Sequence, residues 1–137
     1  MARDGIECDE SRWPIVVFRT IGIPADADVD AFIAKAEECL ARGEPYVVVF
    51  DNSEAARATP YMRRRASEWL EANSRRLGHT CLGTALVFRS AAFRFVLSTV
   101  MLVVSHPVPH EVCASLEQAL RWSEAQLRRR ASARAEM

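Results

Sequence analysis

Three consecutive polar residues, Asp51, Asn52 and Ser53, directly follow the apolar run Tyr46–Phe50. An apolar run without alternation predicts a strand that is buried on both faces, and α/β proteins place ligand sites at the carboxyl ends of such strands. A carboxylate and a hydroxyl there are groups that acid–base or nucleophilic catalysis uses. The same residue types also form ordinary loops by bonding their own backbone, and we favour that interpretation.

A second group with chemical potential is formed by His106, His110 and Cys113, which have the spacing H-x3-H-x2-C. Zinc takes four protein ligands in structural sites and three in catalytic sites, and neighbouring prolines stiffen this segment, so we predict no metal site. The chain also lacks G-x-S-x-G, a glycine-rich phosphate loop and H-E-x-x-H. We therefore predict no catalytic residues and no cofactor. A small enzyme centred on Asp51, Ser53 and His106 is the last of the alternatives.

The pentapeptide Arg-Arg-Arg-Ala-Ser occurs twice, at residues 63–67 and 128–132. In the first copy the arginines lie in the first turn of a predicted helix, where positive charge opposes the helix dipole. Such an arginine run is most often a solvated face of a helix. The functional interpretation is that it docks an acidic protein face or lipid headgroups. The candidate partner-binding residues are Asp51, Asn52, Ser53, Thr59, Arg63 and Arg64.

The segment from Phe93 to Val104 is apolar at nearly every position and is interrupted by Arg94. It is too short to span a bilayer, which needs about 20 residues. A helix that is apolar nearly all round must bury its outer face. We expect the last helix and the N-terminal strand to cover it, and a dimer interface or a membrane surface is the alternative. The residues available for an apolar ligand, membrane or dimer contact are Phe93, Phe95, Leu97, Met101 and Leu102.

The composition bounds the class of protein. The chain has 137 residues, half of them hydrophobic, and its 18 basic and 18 acidic residues cancel. A zero net charge argues against a nucleic-acid-coating protein. The four cysteines lie far apart without a C-x-x-C pair, and the first twelve residues are polar. These features favour free thiols in a reducing cytoplasm.

Hydrophobic periodicity, caps and turn residues predict the order β, β, α, β, α, β, α, β, α. We expect two N-terminal strands (5–11 and 15–21) that pair as a hairpin, helices that end at Gly43 and Gly78, and a polar loop at 51–58. Thr59, Ser90 and Ser115 are predicted helix caps, and Gly83 is expected to pack close to a helix.

The alternation of strands and helices predicts an α/β fold, with a mixed, mostly parallel sheet of four to five strands and about four packed helices. Residues 1–127 form one predicted domain, and residues 128–137 form a flexible charged tail.

Several short motifs of this chain resemble the STAS domain, in particular its SpoIIAA-like branch of bacterial anti-sigma-factor antagonists. They are the step Val48-Val49-Phe50-Asp51, the capped helix at Thr59, and the strand 82–88 that leads into a helix. Ser115-Leu116-Glu117-Gln118-Ala119-Leu120-Arg121-Trp122 is similar to the ending S-x-E-E-A-L-x-W of such chains. The resemblance covers residues 5–127 and implies a non-enzymatic regulatory fold. It also implies an alternative, membrane association through the helical segment at 91–104.

One departure from the resemblance concerns the phosphoacceptor. Anti-sigma antagonists carry D-S-[ST]-G at the start of the second helix, whereas this chain has Ala58-Thr59-Pro60-Tyr61. Thr59 is the single hydroxyl in position, and the proline after it favours plain helix capping over phosphorylation.

We therefore predict a cytoplasmic, non-enzymatic regulatory module that docks a protein partner and lacks the usual phosphoacceptor motif. The alternative is a peripheral membrane protein at the inner face of the membrane, or a carrier of lipid or another apolar ligand, that uses helix 91–104. A homodimer is a further alternative, and we expect no nucleic acid as a partner.

Overall fold

A computed structural model describes residues 3–103 and 107–136, and the order of its elements agrees with the predicted one. Val104, Ser105 and His106, which belong to the predicted end of the third helix and to the His/Cys group, lie outside the described residues. The strands are β1 (Gly5–Arg12), β2 (Ile15–Gly22), β3 (Tyr46–Ala55), β4 (Cys81–Val87) and β5 (His110–Cys113). The helices are α1 (Asp26–Ala41), α2 (Pro60–Thr80), α3 (Ala91–Val103) and α4 (Leu116–Ala135).

The five strands form one mixed sheet with the order β1-β2-β3-β4-β5. β1 pairs antiparallel with β2, as the predicted hairpin requires, and every later pair is parallel. Each of the strands β3, β4 and β5 is added on the same side of the strand before it. Right-handed crossovers therefore place the connecting helices over one face of the sheet. α1 and α2 contact each other on that face, and α4 packs across β2 to β5 on the other. The predicted α/β fold is confirmed.

The sheet separates two hydrophobic cores. The core under α1 and α2 is built on the alternate residues of β2 and β3 that point to one face, with Val16, Phe18, Tyr46 and Val48 at its centre. The core under α4 is built on the intervening residues, and it contains Ile15, Val17, Val49, Ala85, Val87, Cys113 and Ala119. Burial on both faces explains why these strands carry no alternation of apolar and polar residues.

β3 is longer than the sequence predicts. We expected a loop from residue 51 onward, but the strand continues to Ala55 because β2 extends beside it, with Ile21 paired to Glu54 and Gly22 to Ala55. The amide of Ala56 also donates to the carbonyl oxygen of Gly22 over 2.8 Å. Pairing with a neighbouring strand therefore overrides the loop-forming tendency of the polar residues.

The end of α2 differs from its predicted position, whereas the end of α1 agrees with it. α1 begins after Ala25, whose amide donates to Oδ2 of Asp28, so the early aspartates lie inside the first turn. α2 continues through Gly78 to Thr80, because the packing of the buried Leu77 outweighs the roughly 1 kcal/mol that a helical glycine costs. Gly43 has the positive φ of 68° that favours glycine after a helix, as predicted.

α4 extends beyond residue 127 to Ala135, and the residues of this last part are exposed. Alanine and arginine are strong helix formers, which favours the continuation of the helix. The division into a domain and a flexible tail stays a prediction.

Candidate functional site

The structure places Asp51 inside β3 rather than on an open loop. Asp51 is 3% exposed, and its Oδ1 accepts hydrogen bonds from the amide of Ser53 (3.1 Å) and from the Ser53 hydroxyl (2.7 Å). Asn52 donates from Nδ2 to the carbonyl oxygen of Phe50 over 3.4 Å. These polar groups bond their own strand, as the local interpretation of the Asp-Asn-Ser step expects. The Asp51 carboxylate is not presented to a partner.

Thr59, Arg63 and Arg64 gather at the start of α2. Thr59 caps the helix by accepting from the amide of Met62 over 3.1 Å, and Pro60 occupies the first helical position. Arg63 and Arg64 are exposed, and the nearest acid to Arg64 is Glu68, 4.0 Å away. Of the predicted partner-binding set, these three residues therefore share an accessible corner, and Asp51 does not join them.

Two residues of the alternative catalytic group, Asp51 and Ser53, are within the described structure. Ser53 lies beside Asp51, whereas the structure of His106 is outside the described residues. Within residues 3–103 and 107–136, no group of three or more histidine, cysteine or acidic side chains has the arrangement of a metal site.

α3 is exposed to a degree that the sequence analysis did not predict. None of its residues is buried, and Phe95, Leu102 and Val103 are 75%, 87% and 85% exposed. The expectation that the last helix and the N-terminal strand cover this helix is wrong. α4 packs on the opposite face of the sheet, and β1 forms the far edge, so neither can reach it.

The N-terminal end of α3 is firmly attached. Ser90 accepts from the amide of Phe93 over 3.1 Å, which confirms the predicted cap. Arg94 donates to the carbonyl oxygens of Phe88 (2.6 Å) and Arg89 (2.8 Å), and the rings of Phe88 and Phe93 lie 4.7 Å apart. Leu97 and Met101 are half-buried, whereas Phe93, Phe95 and Leu102 are exposed. The helix therefore presents an apolar surface to the outside while these contacts hold its N-terminal end.

Sequence reasoning missed an apolar cavity of about 210 Å³ between the sheet and helices α1 and α2. Its wall is formed by side chains of β2, β3 and β4, by the inner faces of both helices, and by Val108. The lining residues are Phe18, Phe32, Ile33, Ala36, Cys39, Tyr46, Val48, Phe50, Ala66, Trp69, Leu70, Leu77, Cys81, Thr84, Leu86 and Val108. In the sequence these residues are typical of a hydrophobic core. No sequence pattern distinguishes a fully packed core from a core that contains a cavity.

The polar groups of the cavity wall are few and uncharged. Thr84 is 7% exposed, and the indole Nε1 of Trp69 is buried without a hydrogen-bond partner. Burial, and next to it the charge of Glu10, raises the pKa of the Cys39 thiol to about 11, so this thiol is neutral at physiological pH. Burial also raises the pKa of Cys81. The cavity is therefore suited to an apolar occupant.

The cavity wall and α3 are close in the chain. Thr84 and Leu86 of β4 precede α3, and Val108, which is 6% exposed, follows it. In the chain, the exposed helix therefore lies between two residues of the cavity wall, Leu86 and Val108.

The architecture is similar to that of a solved protein. An uncharacterised protein from the DUF3478 family with a SpoIIAA-like fold, from Shewanella loihica PV-4, superposes with a TM-score of 0.68. The alignment covers 90% of this chain and 98% of that chain at 15% sequence identity. This chain has the SpoIIAA-like fold. At this identity the likeness concerns the fold alone, and no family model and no curated protein matches the sequence.

The SpoIIAA-like fold confirms the resemblance that the short motifs indicate. The structure also contains the predicted late strand, β5, and the capped helix that follows it, α4. The Ser115 hydroxyl caps this helix by accepting from the amide of Gln118 over 3.2 Å. Among the described helices, none is both long and apolar enough to cross a membrane.

Proposed function

We propose that this SpoIIAA-like protein is a non-enzymatic binding protein that contacts a membrane surface through α3 and holds the apolar part of a lipid in the cavity beneath α1 and α2. The protein works in the cytoplasm, at the inner face of the membrane. The observation that carries the proposal is the exposure of α3, a helix of 13 residues with none buried.

The exposed apolar area of α3 needs a covering partner. Six large apolar side chains of this helix are between 47% and 87% exposed, and they follow one another along its length: Phe93, Phe95, Val96, Val100, Leu102 and Val103. Isolated apolar residues are common on protein surfaces, but a continuous group marks an interaction site. A membrane interface accepts such a helix without requiring a complementary shape.

The cavity favours the binding of a lipid over a contact with the membrane surface alone. Its volume exceeds the roughly 150 Å³ that is enough to admit a benzene-sized molecule. An apolar chain that left the bilayer beside α3 would reach the cavity wall at Leu86 and Val108, the lining residues nearest to this helix in the chain. The helix α3 would then hold the protein at the membrane, and the cavity would receive the apolar part of a lipid.

Vesicle sedimentation at low and at high salt tests the proposal. The chain has no net charge, so electrostatic attraction to anionic lipid is weak and binding through α3 persists in high salt. We expect Phe95→Asp with Leu102→Asp to release the protein from neutral and anionic vesicles. Both side chains are exposed, so the variant keeps its stability within about 0.5 kcal/mol.

Ser98→Asp provides the matched control, because it adds a charge to the same helix without removing an apolar side chain. This control should lose less binding than the double variant. Wild-type protein that stays entirely in the supernatant would overturn the membrane part of the proposal. A dimer that dissociates on Phe95→Asp with Leu102→Asp would assign α3 to a subunit interface instead.

The exposed arginines at the start of α2 favour a second candidate function, a regulatory module that docks an acidic protein partner. Arg63 lies in the first turn of the helix and Arg64 directly follows it, near the positive end of the helix dipole, which does not stabilise them. Thr59 is already used as a cap, so recognition at this corner would depend on charge rather than on phosphorylation.

The second copy of the pentapeptide supplies the control for this candidate. Arg63→Glu with Arg64→Glu should abolish capture of a partner from extracts of the source cells, whereas Arg128→Glu with Arg129→Glu should leave it intact. Equal loss in both variants would mean that the partner responds to net charge rather than to this corner.

A further inference from the structure

We propose that Arg63 and Arg89 form an anion site at the mouth of the apolar cavity, and that this site binds the phosphate group of a phosphate monoester whose alkyl chain occupies the cavity. The inference rests on the proposed function, since it requires that the cavity takes an apolar chain. It narrows the ligand class from lipids in general to alkyl phosphates.

The two central strands show where the cavity is closed and where it is open. Tyr46 of β3 and Cys81 of β4 line the cavity at the amino ends of their strands, and both are buried. Phe50 and Leu86 line it further along the same strands, and both are half-buried. These two residues are direct partners in the parallel pair of β3 and β4. The exposure of the wall therefore rises towards the edge at which the strands end.

The helices show the same gradient of exposure. Because α1 and α2 each follow a strand, they begin at the carboxyl edge of the sheet. On α2 the lining residues from Ala66 to Leu70 are half-buried, and Leu77 near the end of the helix is buried. On α1 Phe32 is half-buried and Cys39 is buried. We therefore place the mouth of the cavity between the start of α2 and the end of β4.

Two exposed arginines border this mouth. Arg63 precedes Ala66 by three residues, so the two are neighbours on the surface of α2. Arg89 follows Leu86 by three residues, in the loop that leaves β4. Arg94 holds this loop, because its Nη1 donates to two carbonyl oxygens of the loop over 2.6 and 2.8 Å. The two segments that form the mouth therefore each contribute one arginine.

The positive charge at the mouth lacks a counter-charge. Among the described residues, no ion pair joins Arg63, Arg89 or the exposed Arg57 of the loop before α2 to an acid. Arg63 donates instead to the carbonyl oxygen of Ala58 over 3.5 Å. It also lies near the positive end of the α2 dipole. An anion at the mouth would supply the counter-charge.

The acids near this edge of the sheet are already engaged. Glu54 forms an ion pair with Arg19 over 3.1 Å, and Asp30 forms one with Arg65 over 3.4 Å. Asp51 is buried and accepts hydrogen bonds from the residue two positions on. A negatively charged ligand would therefore meet unpaired arginines at the mouth rather than free carboxylates.

This separation of charge from apolar surface fits an amphiphile. No lysine, arginine, histidine or acid is among the residues that line the cavity, so a bound molecule would keep its anion outside. A guanidinium group matches the oxygens of a phosphate with parallel hydrogen bonds. A phosphate monoester carries a charge of about −1.5 to −2 at pH 7, which suits two arginines better than the single charge of a carboxylate.

Hexyl phosphate, hexanoate and hexanol at pH 7.5 test the site by titration calorimetry on the full-length protein. The three probes have similar chains and differ in the charge of the head group. We expect hexyl phosphate to bind about three- to tenfold more tightly than hexanol, the worth of two exposed ion pairs, and hexanoate to lie between them. High salt should remove this preference, since it screens exposed charges.

Arg63→Gln with Arg89→Gln should lower the affinity for hexyl phosphate to that for hexanol and leave hexanol binding unchanged. Both side chains are exposed, so the variant should fold. Arg128→Gln with Arg129→Gln is the matched control, because it removes the same charge from exposed positions of α4 that do not line the cavity. This control should bind all three probes as the wild type does. Equal losses in the two variants would mean that net charge matters rather than the mouth, and would overturn the inference.

The wild-type protein separates failure of the inference from failure of the proposed function. Equal binding of hexyl phosphate and hexanol would overturn the anion site and leave the cavity as an apolar site. If neither probe binds, the cavity part of the proposed function fails and the inference fails with it. Backbone amide NMR shifts caused by hexyl phosphate but not by hexanol should lie in residues 56–66 and 88–94. Shifts confined to other segments would exclude this site.

Membrane lipids and soluble compounds both carry phosphate monoesters, and vesicles separate these two sources. Phosphatidic acid presents such a group at the surface of a bilayer. If Arg63→Gln with Arg89→Gln lowers sedimentation with vesicles that contain phosphatidic acid, but not with pure phosphatidylcholine vesicles, the site takes a bilayer lipid. Unchanged sedimentation together with lost hexyl phosphate binding would assign the site to a soluble alkyl phosphate.

Discussion

The ring of Trp122 occupies the space that a side chain on Gly83 would need. A Cβ atom added at Gly83 would lie 2.6 Å from Cη2 of Trp122 and 3.3 Å from the carbonyl oxygen of Pro109. The absence of a side chain on β4 therefore lets α4 pack closely against the sheet. This contact gives a structural role to the last tryptophan of the motif that resembles SpoIIAA-like chains.

Gly83→Ala should destabilise the protein by about 1–3 kcal/mol, the usual cost of forcing extra volume into a packed core. Gly78→Ala is the matched control: an added Cβ there meets nothing within 4 Å, so the change should stabilise α2 by about 0.5–1 kcal/mol. Urea denaturation of both variants measures the difference. Equal stability of Gly83→Ala and the wild type would show that α4 moves away at little cost.

Thr59→Ala should cost about 1 kcal/mol of stability, because the amide of Met62 loses its acceptor at the start of α2. Thr59→Ser keeps the oxygen and should behave as the wild type does in thermal unfolding. A Thr59→Ala variant with unchanged stability but a changed partner profile would instead support a signalling role for the hydroxyl.

Asp51→Ala should cost about 1–3 kcal/mol, because the amide and the hydroxyl of Ser53 both lose their acceptor in a part-buried position. Asp51→Asn keeps an oxygen and should cost less. Chemical denaturation measures both variants, and vesicle binding should not change in either. Lost partner binding with full stability would mean that Asp51 is a contact residue after all.

Burial makes the stability of the protein sensitive to alkaline pH. It raises the pKa of Cys39 and of Cys113 to about 11, above the ordinary thiol value of about 8.5. The folded state therefore holds these protons after the unfolded state has released them. The contribution of these two thiols to the free energy of unfolding should be constant below pH 8 and should fall as the pH rises from about 8.5 towards 11, which chemical denaturation across this pH range measures.

The same pKa values predict selective alkylation. At pH 8 the Cys39 thiol is protonated, because burial raises its pKa to about 11, and burial blocks access as well. Iodoacetamide should modify the exposed Cys8 first, and mass spectrometry should find Cys39, Cys81 and Cys113 unmodified until denaturant is added. Early modification of Cys39 would show that the cavity wall opens readily.

Local signals in the sequence determined the elements and their order. Unbroken apolar runs such as Tyr46–Phe50 predict strands buried on both faces, and the caps at Thr59 and Ser115 predict where helices begin. These signals depend on residues within a few positions of one another, since a cap or a turn satisfies nearby backbone groups. The alternation of strands and helices then leaves few possible topologies, and the SpoIIAA-like fold is one of them.

Only the tertiary structure decided what those elements bury and what they leave exposed. The length of β3, the burial of Asp51, the exposure of α3 and the cavity beside Trp69 all depend on which strand or helix lies next to each residue. An apolar helix has the same sequence whether it is covered or free, and an apolar wall has the same sequence whether it closes or leaves space. Burial is a property of contacts between residues distant in the chain, and no local pattern records it.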